Sequence, residues 1–323
     1  MNASSSQLSR RLIPGLLLGF VVFLVVVLLG DLREVSGEFL HFRWALYAPV
    51  LGLTLFNYLL RFAKWHFFLH KLGVDNLSIL ESARIFVAGF PLAVTPGKVG
   101  EVLKGVWLEN KTGLPTARGV SVVTAERITD GLAVLVLSSL GVIAYPRYWP
   151  AFAAGLGFVL AVIVVSQIRP LAVRLIRWSE HIPVIKRFSG AALDFYEGSY
   201  ILFRPGSLFT AVGLGTVSWG GEGIGMYLVL IGLGVEPGWE TLAIGIFVLS
   251  FSTVIGAVTA LPGGLGASEA SLAGMLTFLL AAPTDLASAA TILIRFATLW
   301  FAVFLGLIAW FFSRDLLGIP QSD

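Results

Sequence analysis

The chain has 323 residues, of which 57% are hydrophobic and only 13% charged, with a mean hydropathy of +0.88 and a formal net charge of +3. Apolar residues gathered in long blocks exclude a soluble globular core. The absence of cysteine excludes disulfide frameworks, thiolate nucleophiles and cysteine-ligated metals.

This composition predicts an all-α, polytopic helical membrane protein: a single integral domain over 1–323 with about eight transmembrane helices and one or two re-entrant or broken segments. In chain order the candidate spans are 12–30, 44–60, 120–145, 150–168, 208–233, 240–260, 266–282 and 286–312. Arg10 and Arg11 precede the first span as in a signal peptide. Its apolar run is nevertheless as long as a span, and Asp31 to Glu38 offers no small-residue cleavage site, so it reads as a retained helix. After the second span Arg61, Lys64 and Lys71 read as an inside loop, and Arg169, Arg174, Arg177, Lys186, Arg187 and Arg204 do so after the fourth. Opposite loops carry Asp31, Glu34, Glu38, Glu236 and Glu240 with few basic residues. The positive-inside bias therefore puts both termini in the cytoplasm, at the plasma (inner) membrane. The pI of about 9.3 comes largely from these inside loops, which suits an anionic leaflet and argues against nucleic acid as a partner.

Between the second and third spans, 79–96 is apolar but interrupted by Glu81, Arg84 and two prolines, Pro91 and Pro96. A re-entrant or interfacial segment is expected there. The stretch 169–206 is a cytoplasmic amphipathic loop in which Ile176, Trp178, Ile182, Val184, Ile185, Phe188, Phe195 and Tyr196 alternate with basic residues. It is expected along the membrane surface, as a plain connector or as a headgroup-binding element. The span 266–282 is counted as crossing, with a re-entrant course as the alternative.

Two segments repeat one chemical phrase: Thr95-Pro96-Gly97-Lys98-Val99-Gly100-Glu101 and Leu261-Pro262-Gly263-Gly264-Leu265-Gly266-Ala267-Ser268-Glu269. Pro96, Gly97, Gly100, Pro262, Gly263, Gly264 and Gly266 break the backbone where irregular backbone is tolerated only against protein or a water-filled cavity. Each phrase ends in a glutamate near a helix start, where freed amides suit a phosphate; Lys98 and Lys104 flank the first. The plainer reading is a pair of kinked, glycine-packed helix ends. Whether the repeat is inverted or parallel is open, since this topology places both phrases near the same side.

Ionisable residues inside spans form the second group. Glu126, Arg127 and Asp130 make Glu-Arg-x-x-Asp on the third span, Glu222 sits within Trp219-Gly220-Gly221-Glu222-Gly223, and Arg295 lies in the last span. A charge at that depth costs roughly 2.5–3.5 kcal/mol on insertion scales, so partners or water must offset it. A neutralising structural network, for instance Arg295 with Asp130 or Glu222, competes with a polar cavity as the explanation.

Catalytic signatures are weak. His41, His66, His70 and His181 are scattered, and the i, i+4 pair His66 and His70 lacks a third ligand nearby, so no metal or cofactor is expected. No nucleophile elbow or P-loop occurs. A membrane-embedded transferase using Glu, Asp and Arg alone stays open.

Lys98-Val99-Gly100-Glu101-Val102-Leu103-Lys104, the Glu126-Arg127-x-x-Asp130 helix and Pro262-Gly263-Gly264-Leu265-Gly266-Ala267-Ser268-Glu269 together resemble the three signatures of the lysylphosphatidylglycerol synthase transmembrane-region family, also called flippase-like or UPF0104. In that family the membrane region is implicated in moving aminoacylated phospholipid, while a separate C-terminal domain makes it. This sequence ends at Asp323 soon after its last span. The resemblance therefore implies a stand-alone lipid-handling unit and not an enzyme, serving a lipid made by a lipid-modifying enzyme or glycosyltransferase partner.

The resulting expectation is translocation or binding of an anionic amphiphilic lipid, whether aminoacylated, glycosylated or polyprenyl-phosphate. Lys98, Lys104, Arg127 or Arg295 would neutralise its phosphate, while Glu101, Glu126, Asp130, Glu222 and Glu269 orient those cations or take up a coupling proton. The alternatives are an ion-coupled transporter of a small anion and a membrane scaffold for a lipid-synthesis enzyme.

Overall fold

A computed structural model describes residues 32–95, 100–144, 149–179, 181, 186–259 and 261–313. The first expected span, both termini, Pro96, Gly97, Lys98 and Val99 of the first phrase, and Ile182, Val184 and Ile185 lie outside the described residues. Within them the chain forms helices and no strand. This is the solution open to a chain whose backbone groups must be satisfied without water.

The helices are α1 Leu32–His41, α2 Tyr47–Lys71, α3 Ile79–Ala88, α4 Val102–Thr112, α5 Thr116–Ala144, α6 Trp149–Ser166, α7 Arg169–Ser179, α8 Ser189–Leu202, α9 Pro205–Gly232, α10 Trp239–Val258, α11 Ala267–Leu279, α12 Thr284–Arg295 and α13 Phe301–Phe312. Among the described residues, three stretches are long and apolar enough to cross a membrane: Trp44–Lys71, α10, and Thr284–Phe312, where α12 continues through a π turn at Phe296–Trp300 into α13. A fourth is added if the pair α6 and α7, bent by 79° at its break, counts as one span. α5 and α9, with 29 and 28 residues, are long enough at roughly 40 Å, but α5 carries Arg118, Glu126, Arg127 and Asp130. The expected crossing at 266–282 is not made by one helix. α11 has 13 residues, about 20 Å, against a hydrocarbon core of about 30 Å, and the re-entrant alternative takes its place.

The helix 284–312 is the ruler against which both phrases can be placed. α3 runs antiparallel to α13: Arg84 Nη2 donates to Phe312 O at 3.0 Å, Trp310 Nε1 donates to Ala88 O at 2.7 Å, and Gly306 lies against Pro91. The chain turns at the 3-10 segment Phe90–Val94 and returns through α4. α11 runs antiparallel to α12 from the other end, with Arg295 reaching Glu269 and Gly263. Two hairpins thus enter from opposite ends of one long helix, and their tips meet near its middle, where Val94, Leu265 and Val303 pack together with Leu299. That arrangement is antiparallel about the ruler. It corrects the expectation that both phrases open near the same side.

Local chemistry explains each break. Ser78 caps α3 by accepting Glu81 N–H at 3.2 Å, and the 3-10 turn follows with Pro91 near its start. Across the first phrase Gly100 N–H donates to Thr95 Oγ1 at 2.9 Å. In the second phrase Gly263, Gly264 and Gly266 take φ of 61°, 69° and 86°, the left-handed region that side-chain-bearing residues rarely occupy.

The described residues of the segment 169–206 form the two helices α7 and α8. α8 docks on the start of α5, with Asp194 3.3 Å from Arg118 and Gly198 against Ser121, while Arg169 pairs with Glu197 at 2.8 Å. α7 keeps Leu175 and Trp178 exposed, as an interfacial helix does.

A Cβ on Gly306 would fall 2.2 Å from Pro91 Cδ and 3.0 Å from Val87 O, against a rigid ring and backbone. Gly306→Ala is therefore expected to lower the unfolding temperature in detergent, at a cost of about 1–3 kcal/mol. Gly274→Ala, where nothing lies within 4 Å, should be neutral or stabilising.

Candidate functional site

Where the hairpin tips meet, ionisable side chains converge in a layer across α2, α4, α5, α9, α11 and α12. Close backbone approach sets it up: a Cβ on Gly119 would sit 2.7 Å from the Gly105 Cα, so α4 lies almost directly on α5. Lys104 Nζ consequently reaches Glu126 Oε2 at 2.8 Å, with the Trp65 ring centroid 3.9 Å away on its other side. Arg127 Nε lies 3.1 Å from Glu101 Oε2 and its Nη1 4.0 Å from Asp130 Oδ2. Asp130 also accepts a hydrogen bond from Lys64 and lies 3.5 Å from Arg61 Nε. In the second hairpin Arg295 Nε donates to Glu269 Oε1 at 2.6 Å and its Nη2 to Gly263 O at 3.0 Å.

A cavity of ≈ 150 Å³ occupies the centre of this layer. Glu101, Lys104, Arg127, Glu222 and Arg295 line it, with Arg61, Tyr58 and Trp219. Ser252, Thr253, Ser268, Thr298, Gly263 and Gly264 also line it, together with the apolar Phe86, Phe90, Leu249, Leu272 and Leu299. Of the predicted binding residues, five therefore face the cavity. Glu126, Asp130 and Glu269 stand behind it, each holding a cation that faces in or supports the wall. Lys98 lies outside the described residues.

Several expectations are revised. Arg61 and Lys64 are not in an inside loop: α2 runs on to Lys71, and both are drawn in towards Asp130. Residues 65–69, Trp-His-Phe-Phe-Leu, were the missed signal, an apolar run that carries the helix past both charges. Arg295 pairs with Glu269 and with neither Asp130 nor Glu222. One of the amides at the start of α11, Gly266 N–H, is taken by Glu269 Oε2 at 2.7 Å and is not left for an outside phosphate. The histidines are used elsewhere: His66 Nδ1 lies 3.1 Å from Ser82 Oγ, and His70 sits 2.6 Å from Asp75 at the surface.

Two features mark the layer as more than a lock between helices. Glu222 is buried and lines the cavity, yet takes part in none of the hydrogen bonds or ion pairs found among the described residues. Trp219 Nε1, which shares the cavity lining with Glu222, and the buried Asn57 amide and Glu126 Oε1 also lack a hydrogen-bond partner. Buried polar groups without protein partners are normally satisfied by water or ligand.

Fold and site together define a helical membrane protein with two opposed re-entrant hairpins around a charged intramembrane cavity. The family model for the lysylphosphatidylglycerol synthase TM region matches residues 16–306, and the chain belongs to that family. A UPF0104 membrane protein from Methanothermobacter thermautotrophicus is 35% identical over 109 residues, a stretch covering 32% of this chain and 31% of that relative. The match thus spans about a third of the relative's length. No solved structure matches the chain.

Removing Asp130 would leave Arg61, Lys64 and Arg127 facing one another in a low-dielectric layer. Asp130→Asn is expected to destabilise the folded protein by about 3–5 kcal/mol, read as a large drop in unfolding temperature in detergent. Glu222→Gln, which breaks no ion pair among the described residues but leaves five cations facing four carboxylates, should lower that temperature by much less than Asp130→Asn does.

Proposed function

We propose that the chain translocates an anionic amphiphilic lipid, its headgroup passing through the central cavity while its hydrocarbon chains remain in the bilayer. The observation that carries this reading is the meeting of two opposed hairpins around a cavity lined by Lys104, Arg127 and Arg295. Broken helices opening a polar site at mid-depth are how membrane proteins handle charged cargo. Family membership in a synthase's membrane region supports a lipid over a soluble anion as that cargo. So does the apolar part of the lining, Phe86, Phe90, Leu249, Leu272 and Leu299.

Arg127 and Arg295 are the phosphate-facing cations in this reading, since guanidinium forks match phosphate oxygens in pairs. Glu101 and Glu269 hold them in orientation from behind. Lys71, Arg84, Lys111 and Arg118 gather at the end from which the first hairpin enters. We assign that end to the cytoplasm by the positive-inside rule, with the plasma membrane as the site of action. The chain carries no chemistry of its own in this reading; a lipid-modifying enzyme or glycosyltransferase supplies the substrate.

The test is movement of fluorescent phospholipid and polyprenyl-phosphate analogues across proteoliposome bilayers. Headgroup-selective movement by the wild type, lost in Arg127→Gln and Glu222→Gln while both remain folded, is the expected result. Absence of lipid movement by folded wild type under an imposed proton gradient would overturn it in favour of soluble-anion transport or a scaffold role.

A further inference from the structure

The charged layer is almost fully paired, and the exception has a defined place. Among the described residues five cationic side chains, Arg61, Lys64, Lys104, Arg127 and Arg295, face four carboxylates that each have a cationic partner: Glu101, Glu126, Asp130 and Glu269. Five against four leaves one positive charge, and an ionised Glu222 cancels it. A protonated Glu222 leaves the layer at +1, the complement of a headgroup carrying one negative charge.

The surroundings of Glu222 support its change of state. α2 presents Tyr58 and Arg61 to it, with Lys64 one turn further on. α5 presents Asp130, and α12 presents Arg295; all but Lys64 act on Glu222 electrostatically. α10 packs along α9, but its only ionisable residue, Glu240, sits in its first turn and brings no charge to this depth. α8 leads into the start of α9, and the Trp44–Leu46 turn meets its far end, where Arg43 N–H donates to Gly232 O. Glu222 is therefore held between two cations and one carboxylate without a hydrogen bond or ion pair to any of them among the described residues. Gly221 and Gly223 on either side of it let α2 and α10 approach α9 closely.

We infer that Glu222 is the proton-exchange group of the cavity, ionised when the cavity is empty and protonated when a monoanionic phosphodiester headgroup occupies it, so that each headgroup enters with one proton. This rests on the lipid reading above and adds its coupling ion and stoichiometry. The step balances: one carboxylate takes one proton from water as one anion binds, and releases it as the anion leaves. Net charge carried per cycle is zero, so a pH gradient drives the movement and membrane potential alone does not.

The deciding experiment is proton uptake on binding, independent of transport. The full chain in weakly buffered detergent with a pH-indicator dye is titrated with dihexanoyl phosphatidylglycerol, whose phosphodiester does not titrate near neutrality. The wild type should take up about one proton per lipid bound, with affinity falling about tenfold per pH unit on the alkaline side, as one-proton linkage requires. Glu222→Gln should bind with pH-independent affinity and no proton uptake, and Glu222→Asp should restore the uptake. Wild-type binding without proton uptake, or equal uptake in Glu222→Gln, overturns the inference and leaves the lipid reading standing. Failure of the folded wild type to bind the lipid at all overturns both.

Discussion

An ionised side chain in hydrocarbon is tolerated only when an opposite charge faces it, and the architecture follows from meeting that demand at one depth. Asp130 is the pivot. Its carboxylate is shared by Arg61, Lys64 and Arg127, so α2 and α5 cannot separate without stranding charge in a low-dielectric layer. Lys104 with Glu126 fixes α4 to α5 in the same way, and Arg295 with Glu269 fixes α11 to α12. Apolar packing alone would leave these helices free to slide, because lipid tails are as apolar as leucine.

Glycine makes the pairing geometrically possible. Long basic side chains span only several ångströms, so the backbones carrying each partner must nearly touch. Gly105 on Gly119 and Gly256 on Gly264 provide that contact in the two hairpins. Gly264 belongs to the break itself, while Gly105, Gly119 and Gly256 lie inside helices and bring the surrounding rods together. A polar cavity and a tight helix bundle therefore come from one choice of residue, which a chain richer in leucine would not achieve.

Composition and hydropathy were enough to read an all-helical membrane domain, since long apolar blocks leave few alternatives. The two Pro-Gly phrases and the Glu-Arg-x-x-Asp helix were legible because breaks and charges stand out against such a background. Partner identities were not. Glu126 and Asp130 share a helix face in sequence, yet one holds Lys104 from α4 and the other Arg61 and Lys64 from α2, choices made only by tertiary packing. Arg61 and Lys64 were hidden for a specific reason. The positive-inside rule reads any basic residue after an apolar run as a loop, and cannot see a helix that continues past it. The opposed entry of the hairpins was likewise invisible, because α10 and α11 together return the chain to the end where α10 began.

The π turn at Phe296–Trp300 gives the ruler helix two faces instead of one. A π turn accommodates about one extra residue, and one residue of an α-helix corresponds to about 100° of rotation. The turn therefore swivels α13 relative to α12 without ending the helix. α12 presents Arg295 to the hairpin entering from one end, while α13 presents Gly306 and Trp310 to the hairpin entering from the other. A regular helix of the same length would aim both contacts from one angular origin and leave one hairpin facing the wrong flank. Deleting a single residue in this turn amounts to unscrewing half the protein from the other half, with every charged residue still in place.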